Sequence, residues 1–225
     1  MKRWILFGLI GSVFLWGAYQ IFFSHEEDIT AVQDEPQPRE TQDIDSLIEQ
    51  ALLNYEELKS QHDTIEVNHE QVEIEDPEVK NWIIHTHIQS AVIQNEELEG
   101  ITLVDQAMAY KHNNETIIEW ANNEHGIEVT HEEIQDYIQT QLNYIESGKQ
   151  ARPFFVKISE ALDLSEAEYL YEWEYDRFAQ NLVQEKLFFY YKEKYPQEDD
   201  ESLEEYEKRI IELMEQDLTE YDEAR

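Results

Sequence analysis

Cysteine is absent from all 225 residues of the chain. Its absence excludes disulfides, a lipid-modified N-terminal cysteine, cysteine-ligated zinc and thiol nucleophiles together. Glycine and proline are scarce, with 6 and 5 residues, so there are few sites for strained turns and few helix breakers. No stretch matches a glycine-rich phosphate loop, a G-x-S-x-G elbow, an H-E-x-x-H helix or the calcium loop of an EF-hand. Basic residues are few as well: 16 Lys and Arg face 52 Asp and Glu, a formal net charge of −36. Such a surface repels phosphate backbones, so nucleic acid is excluded as a partner. Carboxylates pair up throughout the chain, which singles out no acid and base couple. The sequence therefore reads as a non-enzyme without cofactor or metal.

What the chain does have is apolar and aromatic. Hydrophobic residues make up 41% of it, with 13 Tyr, 9 Phe and 5 Trp. That content supplies a core and argues against disorder, so the acids read as solvated faces of helices.

The N-terminus, "MKRWILFGLIGSVFLWGAYQIFF", places Lys2 and Arg3 before an uncharged apolar run from Trp4 to Phe23. About 20 apolar residues span a bilayer as a helix, so residues 1–24 are expected to be a signal anchor. The acidic flank that follows puts the N-terminus in the cytoplasm and the rest outside, in a single-pass cell-membrane protein. A cleaved signal peptide is the competing reading, but Trp16 and Phe22 stand where a small residue would precede the cut. Residues 25–42, with two prolines and no periodicity, read as a flexible linker, and residues 43–225 as a helical domain.

Within that domain Ile44, Leu47, Ile48, Ala51, Leu52, Tyr55 and Leu58 recur at helical spacing. The period then changes: Ile65, Val67, Val72 and Ile74 alternate about Asn68-His69, which predicts a small β-hairpin. Asp76 and Pro77 open a helix expected to run to Leu98, ahead of Gly100. A further helix runs from about Leu103 to His125, with a kink expected at Asn113-Asn114. Gly126 reads as its left-handed C-terminal residue, with Ile127 folding back in a Schellman ending. Thr130 and Glu133 then form a capping box with Val129 and Ile134 as a staple, and Ser165 with Glu168, Leu164 with Tyr169 repeat the pattern. After a short helix opened by Pro153, one long helix is expected from Glu166 to Lys194. "YPQEDDES" breaks it before a last acidic helix over about 202–222.

Three motifs in order carry a resemblance: Val67-Asn68-His69-Glu70; Gly126-Ile127-x-Val129-Thr130-x-x-Glu133; and Leu162-x-Leu164-Ser165-x-x-Glu168-Tyr169. Over residues 64–195 the chain resembles the N-terminal chaperone domain of the SurA and PrsA family of exported foldases, itself similar to the peptide-binding part of trigger factor. The resemblance implies a mainly α fold with one small hairpin. It also implies an extracytoplasmic chaperone that binds unfolded or newly exported polypeptides. Two departures stand out. His69 occupies the usual turn glycine, and the parvulin-type isomerase domain is missing where only "YPQEDDE" separates the last two helices, so no isomerase activity is expected. The alternative is a structural or adaptor protein that holds one specific envelope or membrane partner.

Of the eight histidines, His85 and His87 lie two apart, where helical side chains diverge and do not share a metal. The aromatics of the long helix exceed what one core stripe needs. Tyr171, Trp173, Tyr175, Phe178, Phe188, Phe189, Tyr190 and Tyr191 are the candidate peptide-binding residues, with helix packing as the competing role.

Overall fold

A computed structural model describes residues 44–91, 96–147 and 152–224. The expected signal anchor over 1–24 and linker over 25–42 lie outside the described residues. Among the described residues no helix is long and apolar enough to cross a membrane, which corrects the expectation of a single-pass membrane protein. The reason is patterning: charged residues interrupt each long helix, whereas a span needs an apolar surface all round.

The described chain is mainly helical with one two-stranded antiparallel sheet. It divides into two compact units, one holding residues 44–111 and 145–169, the other 112–144 and 170–224.

The first unit opens with α1, Ile44–Gln61. Its buried residues Ile48, Ala51, Tyr55 and Leu58 fall at steps of three and four and form one stripe. Strands β1, Thr64–Val67, and β2, Glu70–Glu73, pair with Ile65 opposite Val72 and Val67 opposite Glu70. Their two-residue turn puts both Asn68, φ 51°, and His69, φ 71°, in the left-handed region. Twin positive φ values match the twist of the strands, which is why Asn-Gly is the usual choice. The hairpin's exit is anchored by Ile74, whose fully buried side chain accompanies a carbonyl that accepts from Tyr55 Oη at 3.1 Å.

Helix α2, Pro77–Gln89, begins as expected. Asp76 Oδ1 accepts from the backbone amides of Glu78 at 2.9 Å and Val79 at 3.1 Å, and Pro77 fills the first position, where a missing N–H costs nothing. It is buried nearly all round by Val79, Trp82, Ile83, Ile84, Thr86, His87, Ile88 and Gln89, the mark of a central helix. The helix ends at Gln89 and does not run on to Leu98. The Leu98 carbonyl lies 3.1 Å from His87 Nδ1, whereas eleven residues along a straight helix are about 16 Å apart. Helix α3, Gly100–His125, follows, with residues 100–111 in this unit and 112–125 in the other. Helix α5, Arg152–Ala161, packs on α1, and the single turn α6, Glu166–Glu168, completes the unit.

The second unit is built from the rest of α3 with α4, His131–Ser147 (through residue 144), α7, Tyr175–Lys194, and α8, Leu203–Glu223. Ile117, Trp120 and Ala121 of α3, Val183, Leu187 and Tyr191 of α7, and Tyr206, Ile210, Met214 and Leu218 of α8 form its core. The helix runs unbroken through Asn113-Asn114, where Asn114 is buried and its Nδ2 donates to Gln180 Oε1 at 2.8 Å. A tertiary hydrogen bond there outweighs a poor local propensity. The glycine reading holds. Gly126 has φ 63° and its amide bonds the Asn122 carbonyl at 3.0 Å, the single bond of a left-handed ending, in place of the expected Schellman pair, while the Ile127 amide reaches one residue further back, to the Ala121 carbonyl at 2.9 Å.

The long helix expected from Glu166 to Lys194 is interrupted. The Ser165 and Glu168 capping box forms, but residues Tyr169–Trp173 make a π-helical turn and a new helix starts after Glu174, whose side chain makes no capping bond. A π turn re-phases the faces of a helix. Here both Glu174 and Arg177 become buried, joined side chain to side chain.

Candidate functional site

Within the second unit α7 carries the candidate aromatics, and the core divides them. Phe178 is buried at 1% exposure, with the Tyr137 ring edge-on at 6.2 Å. Tyr191 is fully buried. These two are core residues and do not line a surface: Tyr191 follows Val183 and Leu187 at steps of four on the stripe that joins the core with α3 and α8, while Phe178 is buried against Tyr137 of α4. Phe188 packs against the edge of that core, with Lys192 Nζ 5.1 Å from its ring centroid.

The half-buried aromatics at the start of the helix are tied by their polar ends. Tyr171 Oη donates to Gln139 Oε1 at 3.5 Å, and Tyr175 Oη lies 2.9 Å from His131 Nδ1 with the two rings 5.5 Å apart. The Trp173 carbonyl accepts from Arg177 Nη2 at 3.1 Å. The first two contacts hold Tyr171 and Tyr175 against α4, and the third ties the π turn to the first turn of α7 through the Trp173 backbone.

Phe189 and Tyr190 remain. Phe189 is 55% exposed and Tyr190 37% exposed, on the outer side of the last turns of α7. Other exposed apolar side chains in this unit were not apparent from periodicity: Leu203 and Ile211, both on α8. In the first unit Leu53 and Ile101 are exposed as well. Ile211 follows the buried Ile210 directly, so a helical wheel, and no motif, is what separates the two.

The setting of the α7 face is acidic. Helix α8, which pairs antiparallel with α7 through Tyr206 Oη to the Lys192 carbonyl at 3.0 Å and Lys192 to Glu207 at 3.3 Å, holds nine acids and two bases over its 21 residues. One of them, Glu215, is held above the usual carboxylate range, first by burial and then by the charge of Glu212. On the facing edge Lys186 bonds Glu133 Oε1 at 2.6 Å and the Glu128 carbonyl at 3.0 Å. This pins the base of the helix that Thr130 and Glu133 cap reciprocally. The Lys186 hydrogen bond and then the Thr130 amide draw the Glu133 carboxyl down to about 2.

Next to Tyr190 the α3 terminus closes over the core. His125 meets Trp120 edge-on at 4.9 Å and Tyr190 tilted at 5.1 Å, and Lys194 Nζ stands 5.9 Å over Tyr190, 5.6 Å over Tyr191 and 5.1 Å over Tyr195. Burial, and then the Asp217 carboxylate that its hydroxyl bonds, keep the Tyr191 phenol protonated far above its ordinary range.

The tempting histidine pair diverges as helical geometry requires. His87 is buried and its imidazole is lowered by that burial, while His85 is half-buried beside Trp82 at 6.5 Å. Among the described residues no group of three or more His, Cys, Asp or Glu is placed to hold a metal ion.

No family model, curated protein or solved structure matches this chain.

Proposed function

We propose that this chain is a chaperone-like protein that binds non-native polypeptides reversibly, after the manner of the SurA and PrsA chaperone domain, and performs no isomerisation. The observation that carries the reading is the adjacent pair Phe189 and Tyr190, exposed on α7 beside an acid-rich helix. Large aromatics presented to water on a rigid helix suit weak contacts with many apolar sequences. The acids of α8 and the chain's net charge of −36 keep such a surface from associating with itself and favour chains that carry basic residues. The motif order over residues 64–195 supports the same reading. So does the connection between α7 and α8, which spans only 195–202 and leaves no room for the isomerase domain that the family carries there; such a domain needs on the order of 100 residues.

The test is suppression of aggregation by the full chain. Several unrelated proteins, basic and acidic, are unfolded with and without it at low and high salt. The reading expects slower aggregation, strongest for basic clients, and weaker protection by a Phe189→Ser, Tyr190→Ser variant. No suppression at any ratio would overturn it.

A further inference from the structure

The sheet of the first unit has two strands only, so each strand keeps one edge that bonds nothing within the sheet. Which residues face outward follows from the register. The two-residue turn makes Val67 and Glu70 a hydrogen-bonded pair, Ile65 and Val72 are the next such pair, and one step further on the Ile74 amide reaches the Asp63 carbonyl at 3.1 Å. Thr64 and Glu66 of β1, and Gln71 and Glu73 of β2, therefore turn their N–H and C=O groups away from the partner strand. On β2 the Glu73 carbonyl is taken by the Asp76 amide at 3.2 Å. The Gln71 N–H and C=O and the Glu73 N–H bond no described residue, and both residues are exposed.

The two strands differ on the face that packs. Ile65 and Val67 of β1 are buried, whereas on the same face of β2 Val72 is half-buried and Glu70 exposed. The packed side of the unit thus gives out under β2, where one more strand would complete the cover of Val72. Charge adds a second asymmetry. Glu70 and Glu73 form no ion pair with a described residue, while Glu75, just past the strand, is closed by Lys59 at 2.9 Å. Uncompensated acids along an edge repel a second copy of the same strand and attract a basic one.

We propose that the outer edge of β2 takes a third strand from another polypeptide, an extended segment in which basic and apolar residues alternate. Gln71 exchanges two hydrogen bonds with one residue of the incoming strand, and the Glu73 N–H donates a third. Alternation along a strand then sets the basic side chains on the solvent face, opposite Gln71 and Glu73, and the apolar ones on the other face beside Val72. The backbone groups supply the binding and the free carboxylates select the partner. This edge belongs to the first unit, and the proposal does not rest on Phe189 or Tyr190 of α7.

The test uses the full chain and a short end-blocked peptide of alternating Lys and Val, read residue by residue through amide hydrogen exchange by NMR. The Gln71 and Glu73 amides are expected to exchange fast in the free chain and to become protected several-fold with the peptide, less so as salt rises. The variant Glu70→Gln, Glu73→Gln is expected to bind several-fold more weakly. Gln71→Pro removes an outward N–H while leaving the bonds between β1 and β2 in place, and is expected to abolish binding. A peptide methylated on its Lys backbone nitrogens keeps its charge but loses the N–H that meets the Gln71 carbonyl, and is expected not to bind. Fast exchange at Gln71 and Glu73 at every peptide concentration would overturn the proposal, as would equal binding of the methylated peptide or of one with Glu in place of Lys. Edge protection that grows with protein concentration in the absence of peptide would overturn it as well, by seating a second copy there. The methylated peptide decides the matter even if Gln71→Pro fails to fold. A Phe189→Ser, Tyr190→Ser variant is expected to take the peptide at β2 as wild type does, so this result and the α7 reading stand or fall separately.

Discussion

Arg177 closes on Glu174 with a planar fork, Nε to Oε2 at 2.7 Å and Nη2 to Oε1 at 2.9 Å, and the two side chains are 10% and 3% exposed. The pair sits where the π turn passes into α7. Two buried charges that neutralise each other are tolerable, but either one alone is not. Arg177→Met and Glu174→Leu are each expected to destabilise the chain by about 3 kcal/mol. The double change Glu174→Leu, Arg177→Met should lie nearer wild type than either single one. Denaturant titration of the three variants checks this, and losses that simply add would show that the residues do not act as a pair.

The hairpin turn predicts the opposite outcome. His69 stands at φ 71°, a region that costs a side-chain-bearing residue about 1–2 kcal/mol. Glycine relieves most of that while giving up some unfolded-state entropy. His69→Gly is therefore expected to stabilise by about 0.5–1 kcal/mol, seen as a higher denaturation midpoint at unchanged slope. Gly126→Ala should cost about 1 kcal/mol by backbone strain alone, because a Cβ there meets no atom within 4 Å.

Protonation of Glu133 weakens the start of α4. Its carboxyl is held at about 2, by Lys186 first and the Thr130 amide second. A depressed folded value means that the contribution is complete above the ordinary carboxylate range and is lost as pH falls toward 2. NMR titration of the carboxyl carbon should find Glu133 well below exposed glutamates, and Lys186→Met should raise it. An unchanged value in that variant would remove Lys186 as the cause.

Phe178 and Phe189 separate core from surface on one helix. Phe178→Ala is expected to cost about 3–5 kcal/mol, and Phe189→Ser to leave stability within about 0.5 kcal/mol. A large loss from Phe189→Ser would show that the side chain packs rather than binds.

Helix boundaries written in side-chain chemistry were legible in the sequence. Asp76 with Pro77, Thr130 with Glu133, Ser165 with Glu168, and Gly126 all do locally what their residue types dictate. Where a boundary or a straight run depends on distant partners, the local pattern misleads. Asn114 stays helical because Gln180 satisfies its amide. Helix α2 stops early with Leu98 returned to His87. The π turn before Glu174 has no local signature, since the burial of Arg177 becomes visible only once α7 is packed. The aromatics show the same limit. Composition marks α7 as rich in rings, but only the wheel set by its neighbours assigns Phe178 and Tyr191 to the core and leaves Phe189 and Tyr190 outside. Likewise the link from His125 through Tyr191 to Asp217 joins residues 66 and 26 positions apart, beyond any spacing rule.

The central claim is that the outer face of α7 contacts non-native polypeptide, and photo-crosslinking tests it most directly. A photoreactive phenylalanine analogue is placed at Phe189, and in a second chain at Leu53, which is equally exposed at 57% but lies in the other unit. Each is irradiated with a basic polypeptide held unfolded, and again with the same polypeptide folded. Crosslinks from position 189 to the unfolded form alone, reduced by salt and few from position 53, are the predicted result. Equal yields at the two positions, or none at 189 in the presence of excess unfolded chain, would contradict it.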